Sequence, residues 1–114
     1  MKYYIIMKKH LKIFIEGNLE KADFNYYSQS AAIRLGINAI YKNGDTRHIE
    51  IEAEGDAENL TEYAKFLRNG ALKSYIEIFR TEEGTFKNIQ GFTSLKVHKD
   101  KRPLIQKLAK KYFK

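Results

Sequence analysis

Two repeating patterns of apolar and polar residues alternate along this chain, and the first is typical of β-strands. Residues 12–16, Lys-Ile-Phe-Ile-Glu, are rich in β-forming side chains, and residues 37–42 predict a second strand. Residues 47–54 alternate strictly between apolar and polar positions, which predicts a strand with one solvated face carrying the glutamates. Asn43-Gly44 lies between these last two segments and favours a two-residue hairpin turn.

The second pattern is a helical one, in which apolar residues recur three and four positions apart. The first helix begins after Asp23, a residue suited to capping its N-terminus, and ends at Gly36. The second helix occupies residues 56–69. Residues 74–81 and 90–97 then predict two further strands.

The resulting order is βαββαβ, which is typical of the ferredoxin-like α+β sandwich. We expect a four- or five-stranded antiparallel sheet with both helices on one face. The strands that begin near Lys12 and Arg47 should pair at its centre. The length and the uninterrupted patterning indicate one domain, which we assign to residues 1–98.

Residues 99–114 follow this domain and predict a basic C-terminal helix. Pro103 suits the first helical position, and Leu104, Leu108 and Tyr112 then follow at intervals of four. The net charge of the chain is +7, and residues 96–114 account for all of it, whereas the rest of the chain is neutral. The tail is therefore the part that could contact an anionic partner.

The composition excludes several classes of site. The chain contains no cysteine, so it has no disulfide, no thiolate metal site and no cysteine nucleophile, and this fits a cytoplasmic protein. The apolar run near the N-terminus is too short for a membrane span. The three histidines lack ligand spacing, and we predict no metal site. Met1 and Met7 both remain possible starts, and the oligomeric state stays open.

Residues 15–25 read Ile-Glu-Gly-Asn-Leu-Glu-Lys-Ala-Asp-Phe-Asn. This segment resembles the first signature of the acylphosphatase family, aliphatic-x-Gly-x-Val-Gln-Gly-Val-x-Phe-Arg. Gly17 and Phe24 match, and Leu19 and Ala22 are conservative replacements. The remaining replacements are Glu20 for glutamine, Lys21 for glycine and Asn25 for arginine.

A second segment resembles the other signature of the same family, Gly-aromatic-Val-Arg-Asn. Residues 39–43 read Ala-Ile-Tyr-Lys-Asn, so Asn43 matches, and Gly55 matches the last glycine of the signature. The resemblance covers roughly residues 11–97, with both motifs on the secondary elements where the family has them. It implies the same ferredoxin-like fold.

The resemblance also implies a chemistry. Acylphosphatases hydrolyse the carboxyl–phosphate bond of acyl phosphates and need no metal or cofactor. Their phosphate is bound by backbone N–H groups of a loop and by the signature arginine, while an asparagine orients the attacking water. Here the water-orienting position is Asn43 and the arginine position is Asn25. The substrate-binding loop comprises Gly17, Asn18, Leu19, Glu20, Lys21, Ala22, Asp23 and Phe24.

Asn25 predicts weak or absent hydrolysis of acyl phosphates. Its amide brings no charge, and loss of one preorganised donor typically costs about 10²–10³ in rate. Glu20 and Asp23 add carboxylates beside an anion site, and Lys21 is unfavourable where a turn requires positive φ. We therefore expect an impaired acylphosphatase-like hydrolase, and whether the chain is an enzyme at all remains open.

The sequence also raises three alternatives to the impaired hydrolase. The chain could be a non-catalytic module that binds an anion or a partner, with the basic tail as the contact. It could be an enzyme with a rearranged site that uses Lys21 or Arg80. RNA binding on the sheet is disfavoured, because residues 47–52 are acidic and contain no aromatic side chain. Asn43 also has a plain structural explanation in the hairpin turn.

Overall fold

The computed structural model of the protein describes residues 7–20 and 22–96. Five strands and two α-helices follow one another in the predicted order, and the fifth strand lies within the predicted residues 90–97. The elements are β1 (Lys8–Gly17), α1 (Phe24–Leu35), β2 (Asn38–Asp45), β3 (His48–Asp56), α2 (Ala57–Asn69), β4 (Ile76–Gly84) and β5 (Phe92–Lys96). Neither α-helix is long and apolar enough to cross a membrane.

The five strands form one sheet in the order β4-β1-β3-β2-β5. The predicted central pairing is confirmed: β1 lies antiparallel to β3, with Ile13 opposite Ile51. The first four strands pair antiparallel, but β5 runs parallel to β2, so the sheet is mixed. Because β4 and β5 lie at opposite edges, the chain between them has to cross the sheet.

The hydrophobic core lies between the sheet and the two helices. Ile13 and Ile15 of β1 and Ile51 of β3 are fully buried on the face that the helices cover. The helices are joined by a hydrogen bond in which the Tyr63 hydroxyl donates to the Ser28 carbonyl oxygen at 3.1 Å. The period-2 and period-3.6 patterns thus predicted which residues would be buried between these layers.

The turn between β2 and β3 differs from the prediction. Asn43 and Gly44 lie inside β2, and the turn consists of Thr46 and Arg47. The carboxylate of Asp45 accepts the N–H of Arg47 at 2.7 Å, a side-chain turn that competes with the Asn-Gly signal. The expectation that Asn43-Gly44 forms the hairpin turn is therefore wrong, and Asn43 needs another explanation.

The sheet face away from the helices, here called the far face, is covered at one end by residues 85–91, which connect β4 to β5. Ile89 on this connection is buried, and so are Glu52 and Glu54 beneath it. The prediction that the glutamates of β3 form a solvated face is wrong for these two and holds only for Glu50, which is partly exposed. Alternation identifies two faces of a strand, but it does not reveal which loop covers the second face.

A buried ionic cluster joins this connection to the sheet. The Lys87 and Ile89 N–H groups both donate to the Glu54 carboxylate, at 2.5 and 2.6 Å. The fully buried His10 ring lies between two carboxylates, with Nδ1 2.6 Å from Glu54 Oε2 and Nε2 3.0 Å from Glu52 Oε1. His10 carries no spacing signal in the sequence, so its role depends entirely on tertiary packing.

The helices and strands of the described residues fall within residues 8–96, and the assignment of residues 1–98 to one domain stays a prediction. The predicted basic helix of residues 99–114 lies outside the described residues. Both predicted caps of α1 are confirmed: the Asp23 side chain accepts the Tyr26 N–H at 3.1 Å, and Gly36 adopts the left-handed conformation at φ 66°.

Candidate functional site

A cavity of about 440 Å³ opens at the end of the sheet where β1 meets α1. The loop after β1, the start of α1, the β2–β3 turn and the end of β5 surround it. Seven of the ten sequence-predicted site residues line this cavity: Leu19, Glu20, Ala22, Asp23, Phe24, Asn25 and Asn43. Of the other three, Gly17 and Asn18 lie outside the lining, and Lys21 lies outside the described residues.

Three backbone N–H groups of the loop after β1 are committed to bonds within the protein. The N–H groups of Asn18 and Leu19 donate to the carbonyl oxygens of Tyr75 and Thr46, at 3.0 and 3.2 Å. The Ala22 N–H turns back to the Leu19 carbonyl oxygen at 3.2 Å. These three donors therefore do not point freely into the cavity, as a phosphate cradle would require.

Gly17 has a packing role at the base of this loop. A Cβ atom added at Gly17 would lie 2.0 Å from the Tyr75 carbonyl oxygen, so no other residue fits without a backbone shift. Its own N–H donates to the Arg47 carbonyl oxygen at 3.1 Å. Gly17 thus positions the loop through close backbone approach.

The N-terminus of α1 faces the cavity and is occupied by a side chain of the protein. The Asp23 carboxylate accepts the Tyr26 N–H at 3.1 Å, which is the usual bond of an N-cap. An exogenous anion at this helix end would meet that carboxylate at short range. The positive end of the helix dipole is therefore already partly neutralised by Asp23.

Asn25, at the arginine position, follows on the first turn of α1. Its side-chain oxygen accepts a hydrogen bond from the Ser94 hydroxyl of β5 at 3.0 Å. The amide thereby links α1 to the edge of the sheet instead of presenting a charged fork to the cavity.

Asn43, the water-orienting position, lies exposed near the end of β2, with β3 and β5 on either side. Asp45 forms the adjacent wall of the cavity. Its carboxylate accepts the Arg47 N–H and contacts His48 Nδ1 at 2.8 Å. The backbone bond with Arg47, followed by the His48 contact, lowers the pKa of Asp45 below its ordinary value. Asn43 therefore has an ionised carboxylate beside it.

Tyr41 forms the floor of the cavity and was missed by sequence reasoning. Its side chain is almost fully buried, with its ring 6.3 Å from that of Phe92. Burial, and then the negative charge of Asp23, raises the pKa of the Tyr41 hydroxyl far above its ordinary value. The hydroxyl thus stays neutral, and only its position in an alternating strand could have indicated that it faces the site.

Lys96, the last residue of β5, was also missed as a site residue. Residues two apart on a strand share a face, so Lys96 lies on the same face as Ser94, which contacts Asn25. It is paired in register with Asn43 and lines the cavity. Lys96 is the one lysine or arginine among the described residues that line the cavity. Arg80 lies instead on the far face, where it stacks on Phe14.

The described lining therefore carries more negative than positive charge. Glu20, Asp23 and Asp45 contribute three carboxylates, and Lys96 contributes one ammonium group. Within the part of the chain that the structure describes, no group of three or more histidine, aspartate or glutamate side chains is arranged to hold a metal ion. The arrangement offers amide, hydroxyl and carboxylate groups around an open cavity.

Comparison with known proteins identifies the family. A family model described as acylphosphatase matches residues 11–94. An acylphosphatase of Thermotoga petrophila is 29% identical over 85 residues, which cover 75% of this chain and 94% of that protein. An acylphosphatase of Vibrio parahaemolyticus is 23% identical over 84 residues, which cover 74% of this chain and 93% of that protein.

The fold agrees with this assignment. The crystal structure of acylphosphatase from Bacillus subtilis matches with a TM-score of 0.69 and 23% identity, over 78% of this chain and 99% of that chain. At this identity the likeness shows the fold alone. The family model, however, spans well over half of the sequence and contains both signature segments. The chain belongs to the acylphosphatase family.

Proposed function

We propose that this chain is an acylphosphatase-like protein whose site has lost most of its attraction for phosphate, so that it hydrolyses acyl phosphates weakly or not at all. The charge of the cavity lining carries the proposal. Three carboxylates, Glu20, Asp23 and Asp45, face a single described cation, Lys96. A phosphoryl group would enter a field that repels it, whereas catalysis of its transfer requires stabilisation of negative charge.

The parts of the catalytic arrangement are affected unequally. Asn43 keeps a position from which it could orient a water molecule, and the cavity has room for a small acyl phosphate. The bidentate guanidinium is replaced by the Asn25 amide, which is already bonded to Ser94. Positioning of the nucleophile is therefore preserved better than binding of the phosphoryl group, and binding should limit the rate.

The test is hydrolysis of benzoyl phosphate by the full-length chain. Its kcat/KM should be at least about 100-fold lower than that of the Bacillus subtilis acylphosphatase measured in parallel, because one lost preorganised donor already costs about 10²–10³. Inhibition by inorganic phosphate should be correspondingly weak. Turnover within tenfold of the reference enzyme would contradict the proposal.

A linked prediction concerns Asn25→Arg. This change should restore less than about tenfold in kcat/KM, because Glu20 and Asp23 remain at the site and the Asn18, Leu19 and Ala22 N–H groups stay bonded elsewhere. Lys65→Arg, an exposed substitution on α2, serves as a matched control for added arginine. Recovery to the level of the reference enzyme would show that the arginine alone had been missing.

A second candidate function is a non-catalytic module that binds a partner. It is supported by apolar side chains that remain exposed on the far face, Ile78 at 50% and Leu95 at 45%. In this case weak phosphate binding would persist without turnover. We assign either activity to the cytoplasm, on the basis of the cysteine-free sequence.

A further inference from the structure

The far face of the sheet divides into two halves. Residues 85–91 cover one half, where Glu54 and His10 are buried. The other half, here called the open half, is the part over which none of the described residues is packed in this way. Its side chains come from all five strands and include Phe14 and Glu16 of β1, Lys42 of β2, Glu50 of β3, Ile78 and Arg80 of β4, and Leu95 of β5.

The open half is apolar enough to favour burial. The Arg80 guanidinium lies 4.1 Å above the centre of the Phe14 ring, so the two side chains form one flat platform. Ile78 and Leu95 are exposed at opposite edges of the sheet. A concavity of about 540 Å³ lies between them, with Phe14 and Leu95 in its walls. These are the features of a surface that excludes water when it is covered.

The chain itself supplies a segment of suitable length at the edge of this surface. Strand β5 ends at Lys96, directly after Leu95, and 18 residues follow. Residues 97–102 can span up to about 20 Å if extended. A helix of residues 103–114 would be about 18 Å long. Five strands spaced about 4.8 Å apart give a sheet about 19 Å wide, so such a helix matches its width.

The sequence of this segment also complements the surface. In a helical projection, Leu104, Leu108 and Tyr112 lie along one side together with Ile105 and Ala109. Lys107, Lys110 and Lys114 lie away from this apolar side, and Lys111 borders it beside Leu104. The open half also carries two partly exposed carboxylates, Glu16 and Glu50, with side-chain exposures of 44% and 37%, which lie 3.5 Å from His48 and 3.6 Å from Lys42. A lysine that borders the apolar side, such as Lys111, can add to these ion pairs.

We propose that residues 103–114 form a helix that folds back across the open half of the far face of their own chain. Leu108 then packs in the concavity beside Phe14, and the lysines opposite it face solvent. The family fold becomes a three-layer arrangement in which the sheet lies between the two helices and this third one. The exposed apolar side chains at both edges, Ile78 and Leu95, are thereby covered by the chain itself, which competes with their use by a separate partner.

Disulfide trapping in the full-length chain tests this placement. The chain has no native cysteine, so an introduced pair reports without interference. Ala109→Cys is combined with Ile78→Cys or with Glu50→Cys, both on the open half. The control combines Ala109→Cys with Ile33→Cys. Ile33 is 72% exposed and belongs to α1, which lies on the other side of the sheet. A bond requires Cα atoms within about 7 Å.

The expected result is rapid intramolecular oxidation of at least one open-half pair and none of the control pair. Loss of two mass units from the monomer identifies that product. Equal oxidation of all pairs, or of none, would overturn the proposal. Disulfide-linked dimers from the open-half pairs would also overturn it, since they would assign the surface to a second copy.

A pair of single substitutions gives an independent measure. Leu108→Glu should lower the melting temperature of the full-length protein by about 5 °C or more, because it places a charge in the apolar contact. Lys110→Glu introduces the same residue on the opposite side of the helix and should leave the melting temperature within about 2 °C. Equal effects of the two substitutions would contradict the packing of Leu108.

Discussion

Asp23 performs two tasks that oppose each other in the candidate site. Its carboxylate caps α1 through the Tyr26 N–H, which stabilises the helix. The same carboxylate lines the cavity, where it repels an anion. Removing the charge while keeping the capping oxygen separates the two tasks, and asparagine does this because it caps helices about as well as aspartate.

We therefore expect Asp23→Asn to leave the free energy of unfolding within about 0.5 kcal/mol of wild type and to tighten phosphate binding. Asp23→Ala should tighten binding as well but cost about 1 kcal/mol, because the cap is lost. Urea denaturation measures the first quantity, and the thermal shift caused by added phosphate measures the second. Unchanged phosphate binding in both variants would show that Asp23 does not control the cavity.

At the scale of elements, the connection between β4 and β5 depends on a carboxylate of β3. It has to cross the sheet, and its backbone would leave buried N–H groups without partners if Glu54 did not accept them. His10 of β1 contacts the same carboxylate. Strand β1, strand β3 and the β4–β5 connection thus meet at the buried Glu54 carboxylate. Its hydrogen bonds replace those that the N–H groups of the connection would otherwise make to water.

Glu54→Gln should destabilise the protein by about 3 kcal/mol, because the buried N–H groups of Lys87 and Ile89 and the His10 ring lose a charged acceptor. Glu50→Gln is the matched control, on the same strand and face but partly exposed, and should cost less than about 1 kcal/mol. Chemical denaturation of both variants gives the comparison. Similar losses would mean that the buried cluster contributes no more than a surface ion pair.

At the scale of the whole molecule, these carboxylates predict the response to acid. Hydrogen bonds from Lys42 and Lys87 lower the pKa of Glu52 from 4.5 to about 2. Burial alone would raise the pKa of Glu54, but hydrogen bonds from the Lys87 N–H, His10 and the Ile89 N–H outweigh it, and the pKa is lowered. A lowered pKa means that the folded state binds protons less readily than the unfolded state.

Stability should therefore be fully present above about pH 4.5 and fall as the pH drops toward about 2. The contribution of Glu52 to this loss is on the order of 3 kcal/mol. Urea denaturation at a series of pH values should show a shallower acid slope for Glu52→Gln than for wild type. A slope that does not change in this variant would assign the acid response to other groups.

Much of the fold could be predicted from the sequence, because local patterns specify it. The alternation in β1 and β3 predicted their burial and the central pairing, and Asp23 and Gly36 predicted the limits of α1. The candidate site was predictable only in part. Seven lining residues were identified through the family resemblance, whereas Tyr41 and Lys96 were not, since they reach the cavity on strands distant in sequence from the loop after β1.

The sequence by itself determined the element order, the core between sheet and helices, and the replacement of the family's arginine by Asn25. Tertiary structure alone decided what the polar residues do. Asp45 moved the β2–β3 turn away from Asn43, and the β4–β5 connection buried Glu52 and Glu54, which alternation had assigned to solvent. Apolar periodicity records which side of an element is buried against its neighbours. The partner of a charged group is set by whichever distant segment packs over it, and that is a property of the assembled fold.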